Sequence, residues 1–519
     1  MGTEGVSIET PADLLRTVCG KGVRLWVENG QLRYRVPKGI LTTTDVENLK
    51  KFKLQIVALL ERSNASETSE PKSGSGTGPR HAPLSFQQLA HWNLYQLDVR
   101  PSSTPGLSMV RLRGRLHIEA LKDSLNDMVR RHEGLRTRIV AGSGIPTQEV
   151  LEPSHYDLEI IDFTVIPPDR RDEEVRRLAE EVILQPIHMD KDPLFTARLL
   201  RLGELEHVLM TTMEHIVIDG FSIGIFLRDL FSTYTQRLKG LPPSLSPVTM
   251  SLAEFAVWQR QTHAAWQKSH GAYWSRCLER YQRVRFPESQ PLMEGVYEGW
   301  KLARVRIDRT LTSHLHSWCR RNKTTLVLSV FTAYVSAVLR WCRVPEAVFC
   351  FETDSRTSPD IENTIGYFAS ALYVHITLRQ EDTFVTLLKQ VTEKYCEAYE
   401  HADFSFLESQ TQRPEFTRST AFNWVGRGPT VDLVGLGGSE DALSCSRFPF
   451  EGQLRNRCHR ETEPIMGLIE TEDEIEGGVE FPANRFCMQT MEHLAQTFLA
   501  CVQALTERSD QRIEDLVLP

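Results

Sequence analysis

The 519-residue sequence lacks the features that mark several classes of protein. No apolar run approaches the ~18 residues of a membrane-spanning helix, and the opening residues MGTEGVSIET lack the basic and apolar regions of a signal peptide. An excess of positive charge is also absent. The formal net charge is -8 at pH 7, which argues against extensive nucleic-acid binding. We therefore expect a cytoplasmic protein that binds neither membranes nor nucleic acids.

Among the ten cysteines there is no CxxC pair, and several cysteines stand inside apolar stretches. This spacing predicts buried free thiols rather than disulfides, and it predicts no metal site. No repeat of solenoid length is present either. The sequence does contain 41% hydrophobic and 25% charged residues, which is the composition of a globular protein with two or three hydrophobic cores.

Residues 1–61 form a small unit of their own. Helical spacing of apolar residues predicts helices near residues 10–19 and 43–61. Between them, two alternating strands flank Glu28-Asn29-Gly30, and Asn-Gly is the pair that a type I′ hairpin turn prefers. The hairpin region carries the basic residues Lys21, Arg24, Arg33, Arg35 and Lys38. They predict either the solvated face of a structural appendage or a docking surface whose strand edge accepts an acidic peptide.

Residues 62–80 contain almost no apolar side chains and are rich in serine, glycine, threonine and glutamate, so we expect a flexible linker. Beyond the linker, strand-like and helix-like patterns alternate, which indicates an α/β protein of two lobes. We place the first lobe at residues 81–285 and the second at residues 286–519.

The stretch from Glu214 to Gly220, EHIVIDG, joins an apolar strand to a helix. A lone histidine on an apolar strand is more often a packed core residue than a catalyst. Three features favour a functional His215: a strand end can face a cleft, Asp219 follows four residues later, and Gly220 permits close approach of the backbone. A neutral imidazole at this place is suited to take a proton from an attacking nucleophile.

An ordered set of motifs resembles the core motifs of the condensation domain of nonribosomal peptide synthetases. The motifs are SFQQLAHW at 85–92, RRHEGLRTRI at 130–139, EHIVIDGFS at 214–222, AEFAVWQR at 253–260, IGYF at 365–368 and HADFSF at 401–406. Residues 10–60, with RLWVENGQLRYRVPKG at their centre, resemble the N-terminal β-hairpin docking domain of polyketide and nonribosomal-peptide assembly-line subunits.

The resemblance implies two chloramphenicol-acetyltransferase-like lobes that form a V, with the active site in a tunnel at their junction. The implied enzyme is an acyltransferase. It moves an acyl, polyketide or peptidyl thioester from the phosphopantetheine of a carrier protein to an amine or hydroxyl, forming an amide or an ester. It needs no cofactor of its own. An upstream carrier-protein subunit would dock through an acidic C-terminal tail, the acceptor would be a second carrier protein or a free small molecule, and the chain would be a monomer.

By the same resemblance His215 is the catalytic residue, as proton acceptor or as stabiliser of the tetrahedral intermediate. Asp219 is expected to pair with Arg356 and to fix the turn at Gly220, rather than to orient His215. The family normally has His-His-x-x-x-Asp-Gly, and Glu214 stands at the first histidine position. Alternation along a strand would turn Glu214 away from the tunnel, so we expect it to support the strand.

Ser222 and Ser370 are assigned to the substrate tunnel, and Ser370 stands where family members commonly carry asparagine. A heterocyclising domain would have aspartate in place of His215, and an epimerase would have a further glycine- and histidine-rich motif. Two alternatives stay open: a carrier-independent HxxxD acyltransferase that uses acyl-CoA, and a non-catalytic recruitment scaffold. Because the chain shows no adenylation or carrier domain, we expect a free-standing subunit that releases a finished chain, or a part of a larger synthetase.

Overall fold

The computed structural model describes most of the chain after residue 79 and the two strands of the predicted hairpin. The described residues are 24–28, 31–35, 53, 80–97, 106–142, 144–185, 187–279, 284–289, 300–353, 356, 358–402, 420–426, 443–448, 463–471 and 473–519. The two helices predicted within residues 1–61, the basic residues Lys21 and Lys38, and the predicted linker up to residue 79 lie outside this description, apart from the single residue Lys53.

Strands and helices alternate along the described chain, as the sequence pattern predicts. The strands are β1 Arg24–Glu28, β2 Gln31–Arg35, β3 Arg80–Pro83, β4 Gly106–Arg113, β5 Thr137–Val140, β6 Thr147–Val150, β7 Glu159–Asp162, β8 Phe195–Arg201, β9 Glu206–Met213, β10 Trp300–Ile307, β11 Glu346–Thr353, β12 Ser370–Thr377, β13 Ala421–Val425, β14 Ser444–Arg447, β15 Ile465–Glu470 and β16 Ile475–Pro482. The α-helices are α1 Phe86–Leu97, α2 Ile118–Arg131, α3 Arg171–Leu184, α4 Gly220–Leu238, α5 Leu252–Glu279, α6 Arg309–Asn322, α7 Leu326–Cys342, α8 Phe384–Glu400 and α9 Met488–Glu507.

The hairpin strands β1 and β2 pair antiparallel, with Glu28 opposite Gln31. This register leaves two residues for the connection, as the Asn29-Gly30 turn requires. In this register Arg24 is opposite Arg35, and Trp26 is opposite Arg33.

The first lobe is built on a five-stranded sheet of order β14-β4-β9-β8-β7, with a small three-stranded sheet of order β3-β6-β5 beside it. Both faces of β9 are covered. Leu209 packs into a core with residues of α2 and α4, and Val208 packs into a second core with residues of α3. A strand covered on both faces buries its residues without alternation, and every residue of β9 after Glu206 is buried.

The second lobe has a six-stranded sheet of order β10-β16-β15-β13-β11-β12. Its core contains buried residues from all six strands and from α6, α7, α8 and α9. Helix α7 lies deepest in that core, since all residues from Leu328 to Leu339 are buried. Thr325 caps this helix, because its side chain accepts a hydrogen bond from the backbone N of Leu328.

Two segments of the second half cross onto the first lobe. Strand β14 adds to the edge of the first sheet, where Arg447 pairs with Val110 of β4. Ile365 is part of the first lobe's core, and Phe368 packs with Phe86 and Phe255, which come from α1 and α5. The junction between the lobes is therefore made by interleaved chain segments, and the loop before β12 is one of them.

Within the part of the chain that the structure describes, no single helix is long and apolar enough to cross a membrane. The consecutive helices α6 and α7 reach that length and composition only when they are taken together, and the chain bends by 104° between them.

Candidate active site

The turn that carries His215 begins where the ladder of β9 ends. Met213 pairs with Gly106 at the start of β4 and with Phe195 at the start of β8, so neither neighbour extends further. The next residue leaves the sheet, and residues His215–Val217 form one turn of 3-10 helix before α4. The sequence pattern predicts a strand near residues 207–213, and the structure confirms it; Glu214 and His215 lie beyond the end of that strand. Strand alternation therefore does not decide where the side chain of Glu214 points.

The imidazole of His215 is held in one tautomer by its own turn. Its Nδ1 lies 2.9 Å from the carbonyl oxygen of Ile218. A carbonyl can only accept, so Nδ1 carries the proton, and Nε2 of the neutral ring keeps its lone pair. Burial, followed by the charge of His91, lowers the pKa of His215 below its ordinary value. The residue is nevertheless solvent-accessible.

Asp219 and Arg356 form a buried ion pair between the lobes. Arg356 Nη1 donates to Oδ2 of Asp219 at 2.7 Å, and Nη2 donates to Oδ1 at 3.0 Å. Relative exposures are 2% for Asp219 and 1% for Arg356. Burial acts to raise the pKa of Asp219, but the charge and hydrogen bonds of Arg356 outweigh it, and the pKa lies below its ordinary value. The aspartate is thus engaged by the arginine and by the N-terminus of α4, and it is not hydrogen-bonded to His215.

Ser222 belongs to this buried network. Its side chain is fully buried, and its Oγ lies 2.8 Å from Oδ1 of Asp219 and 3.0 Å from Nη2 of Arg356. The backbone N of Gly366 also donates to the Ser222 hydroxyl, at 3.1 Å. The assignment of Ser222 to the substrate tunnel is wrong, because a hydroxyl enclosed by these partners has no free face. Through these hydrogen bonds Ser222 links the start of α4 to the loop before β12.

Gly220 opens α4 and is exposed. No described atom lies within 4 Å of the position that a side-chain carbon would take there, so the close backbone approach expected at this glycine is not made by the described residues. Ser370 begins β12 opposite Thr353 and is partly buried. Its place in the tunnel stays a prediction.

Residues from three of the other sequence motifs lie at the His215 turn. Gln88 Nε2 of α1 donates to the carbonyl oxygen of Ile216 at 3.1 Å. At Gly134 a side-chain carbon would stand 3.2 Å from the carbonyl oxygen of Val217 and equally close to that of Ile365, so any larger residue would be crowded by two backbone oxygens. Three motifs that are distant in sequence thus pack around one short turn.

Two aromatic residues beside His215 belong to these motifs but were given no role from the sequence. The ring of Tyr367 lies 5.0 Å from that of His215, in edge-to-face orientation, and the ring of His91 lies 5.7 Å from it. His91 and Tyr367 are themselves 5.6 Å apart. The sequence indicated these two residues only by their positions inside SFQQLAHW and IGYF. Their contact with His215 arises only when α1 and the loop before β12 meet.

Two partly buried glutamates lie on the second lobe's sheet, Glu352 on β11 and Glu480 on β16. Burial raises the pKa of each to about 7, and the charge of Glu480 adds to the effect on Glu352. Burial and then the charge of Glu352 raise the pKa of Tyr367 as well, which places this glutamate within electrostatic reach of the His215 cluster. Among the described residues, neither glutamate has an ion-pair partner.

We expect these two glutamates to make stability depend on pH between about 4.5 and 7. In that window the folded state keeps protons that the unfolded state has released, so the free energy of unfolding falls as pH rises. A variant with Glu352→Gln and Glu480→Gln should match the wild type at pH 4 and exceed it at pH 8, by on the order of 1 kcal/mol. Urea unfolding at both pH values measures this. The exposed Glu476→Gln on β16 is the control, and a wild type whose stability is flat from pH 4 to 8 would contradict the prediction.

Within the described residues, no group of three or more histidine, cysteine, aspartate or glutamate side chains is placed to hold a metal ion. The free thiols that the structure describes are Cys277, Cys319, Cys342, Cys350, Cys396, Cys445, Cys487 and Cys501. All of these are buried or partly buried, in agreement with the prediction from their spacing.

Comparisons with known proteins cover nearly the whole chain. The condensation-domain family model matches residues 79–519, and the TubC N-terminal docking domain model matches residues 12–62. One of the linear gramicidin synthase proteins of Brevibacillus parabrevis is 28% identical over 490 residues, which are 89% of this chain and 9% of that protein. The beauvericin nonribosomal cyclodepsipeptide synthetase of Beauveria bassiana is 27% identical over 441 residues, which are 84% of this chain and 14% of that protein. The chain therefore spans only a small part of the length of these curated relatives.

A solved structure with a similar fold is the X-domain from teicoplanin biosynthesis. It superposes with a TM-score of 0.72 at 23% identity, over 86% of this chain and all of that one. The mixed α/β architecture predicted from the sequence is thereby confirmed.

Proposed function

The chain belongs to the condensation-domain family, and from that premise we propose that it transfers a carrier-bound acyl, polyketide or peptidyl thioester to an amine or hydroxyl nucleophile. The observation that carries the proposal is the state of His215: Nδ1 donates to the Ile218 carbonyl, and the side chain is solvent-accessible. The phosphopantetheine arm arrives with the carrier protein, and the enzyme supplies no cofactor of its own.

The proposed step needs one base and two tethered or bound reactants. The acceptor nitrogen or oxygen attacks the thioester carbonyl carbon while His215 Nε2 takes its proton. The tetrahedral intermediate then breaks its carbon–sulfur bond. The phosphopantetheine sulfur leaves and receives the proton from the imidazolium, which restores the neutral ring. A positioned base contributes ~10²- to 10⁴-fold, and holding the reactants in line can contribute more.

The proposal is tested by loading an upstream carrier protein with an acyl chain, adding amine and alcohol acceptors, and following the product by intact mass. Transfer from the carrier but not from the matching acyl-CoA supports the carrier-dependent reaction. Equal transfer from both would favour the acyl-CoA alternative, and no transfer to any acceptor would favour the scaffold. Transfer to a free acceptor, without a second carrier protein, would support the proposed role in chain release.

We further propose that the hairpin docks an acidic tail of the upstream carrier protein. The match to a docking-domain family supports this. So does the backbone register of the hairpin, which sets Arg24 opposite Arg35 and Arg33 opposite Trp26. Like charges placed opposite each other destabilise a ribbon, so an anionic partner is favoured there. Docking of this kind raises the effective concentration of the tethered thioester without any new contact at the active site.

We expect a chain with Arg33→Glu and Arg35→Glu to need at least ~10-fold more carrier protein for half-maximal rate, with kcat unchanged, since only the docking step is weakened. Initial rates against carrier concentration measure the change, and raising the salt concentration should produce a similar shift in the wild type. Lys53→Glu, an exposed charge reversal outside the hairpin, is the control. An unchanged carrier dependence, also after deletion of residues 1–61, would refute the docking role.

A further inference from the structure

A second histidine and a buried carboxylate stand next to the proposed base. Nε2 of His91 lies 3.3 Å from Oε1 of Glu214. The side chain of Glu214 is fully buried, whereas that of His91 is 23% exposed. A carboxylate at full burial requires hydrogen-bonding or charged partners to be tolerated. His91 supplies one, so Glu214 fixes which edge of the His91 ring faces inward.

The chain places this pair at the reacting histidine through two independent attachments. Glu214 immediately precedes His215, and its backbone N is anchored to the carbonyl oxygen of Leu194 at 2.7 Å. His91 comes from α1, three residues after Gln88, which hydrogen-bonds Ile216 of the same turn. Residues three apart share a helix face, so one face of α1 holds both the backbone of the turn and the carboxylate. The ring of His91 is left 5.7 Å from that of His215.

We propose that Glu214 and His91 act as a positioning pair for His215: Glu214 fixes the His91 ring, and that ring, 5.7 Å from the ring of His215, orients the His215 imidazole. The proposal rests on the condensation reaction proposed above. It gives Glu214 a role beyond support of the strand, and it uses a glutamate and a histidine where the family normally has one histidine beside the catalytic one.

The titratable and charged groups that face His215 determine whether removal of His91 raises or lowers the pKa of His215. His91 lies on α1, Glu214 precedes the ring, Asp219 follows it at the start of α4, and Tyr367 comes from the loop before β12. Asp219 is already neutralised by Arg356. After burial, the charge of His91 is the largest influence that lowers the pKa of His215, while Glu214 and Asp219 act to raise it. Removal of the His91 ring should therefore favour the imidazolium form of His215.

The decisive variant is His91→Gln, which keeps a hydrogen-bond donor for Glu214 but removes the ring and its charge. We expect the acidic limb of its kcat/KM profile to move to higher pH, with a rate loss of roughly 10-fold at pH 6 that shrinks to less than threefold at pH 8.5. His314→Gln, an exposed histidine on α6, is the matched control and should follow the wild type. A loss of equal size at every pH would show that His91 has only a structural role and would overturn the proposal.

Glu214→Gln tests whether the two residues act as a unit. If they do, the rate lost by the double variant at pH 7 should be close to that of either single variant, whereas independent residues would multiply their effects. Multiplicative effects would overturn the proposed coupling. Should Glu214→Gln fail to fold, the pH profile of His91→Gln still tests the positioning pair. His91 is partly exposed, so its substitution is expected to leave the fold intact.

A measurement without turnover separates this inference from the proposed reaction. The imidazole of His215 can be titrated by ¹⁵N NMR in histidine-labelled wild type and in His91→Gln. A shift of its midpoint to higher pH supports the positioning pair even if no acceptor is found. Superimposable titrations would refute it, even if the wild type condenses substrates as proposed.

Discussion

His215→Ala is expected to fold like the wild type and to lose ~10²- to 10⁴-fold in single-turnover acyl transfer, because it removes the proposed proton acceptor and leaves substrate positioning in place. The side chain is accessible, so its truncation leaves no packed cavity. Its hydrogen bond to the carbonyl of Ile218 stays within the same turn. The measurement is intact-mass detection of product after mixing the variant with a loaded carrier and a saturating acceptor.

The lowered pKa of His215 also predicts how the rate of the wild type depends on pH. Because the pKa of His215 is lowered, first by burial and then by His91, the base stays neutral at pH values where an ordinary imidazole near 6.5 is half protonated. The rate should thus hold from pH 8 down to about 6.5 and fall only below it. His314→Ala should retain full activity. Full activity in His215→Ala would remove the proposed enzyme mechanism, and a rate already falling at pH 7.5 would contradict the lowered pKa.

The second large effect is expected from Asp219→Asn, which leaves Arg356 buried without its counter-charge. Removal of one partner of a buried ion pair costs about 3–5 kcal/mol. Here the pair also joins α4 of the first lobe to the loop before β12, so the contact between the lobes should weaken as well. Urea unfolding at pH 7 measures the loss. The control is Asp515→Asn, whose ion pair with Arg512 is half-exposed and should contribute less than about 1 kcal/mol.

Activity alone does not identify the role of Asp219, because an unfolded site is also an inactive one. The discriminating quantity is turnover per folded molecule at a temperature well below the transition. If the ion pair only fixes the turn, folded Asp219→Asn should show a smaller loss than His215→Ala. Wild-type stability together with a loss as large as that of His215→Ala would instead make Asp219 a partner of the base.

Local elements were predictable because their signals lie within a few residues. The apolar spacing of residues 118–131 predicts a helix, and α2 spans Ile118–Arg131. Serine is a residue type that caps helices, and the Oγ of Ser85, just before α1, accepts from the backbone N of Gln88 at 3.1 Å. The Asp219–Arg356 contact came from the family resemblance rather than from spacing, and the structure shows it.

The errors concern the places where segments meet. Ser222 was assigned to the tunnel because it follows the motif, yet Arg356 and Gly366, more than 130 residues away, enclose its hydroxyl. Strand alternation was applied to Glu214, but the strand ends at Met213, because both neighbouring strands begin opposite that residue and one of them starts more than 100 residues earlier. Neither the burial of the Ser222 hydroxyl nor the end of β9 can be predicted from the local sequence, because each depends on distant segments that pack against it.

The sequence by itself determined the order of elements, the family and the one histidine proposed to do chemistry, since periodicity, caps and motif order are local properties. Only the tertiary structure decided what surrounds that histidine: a tautomer set by Ile218, an aspartate held by the other lobe, and the Glu214–His91 pair beside it. The reason is physical. The pKa and orientation of a side chain depend on burial and on charges within a few ångströms, and here those charges come from segments far apart in the chain.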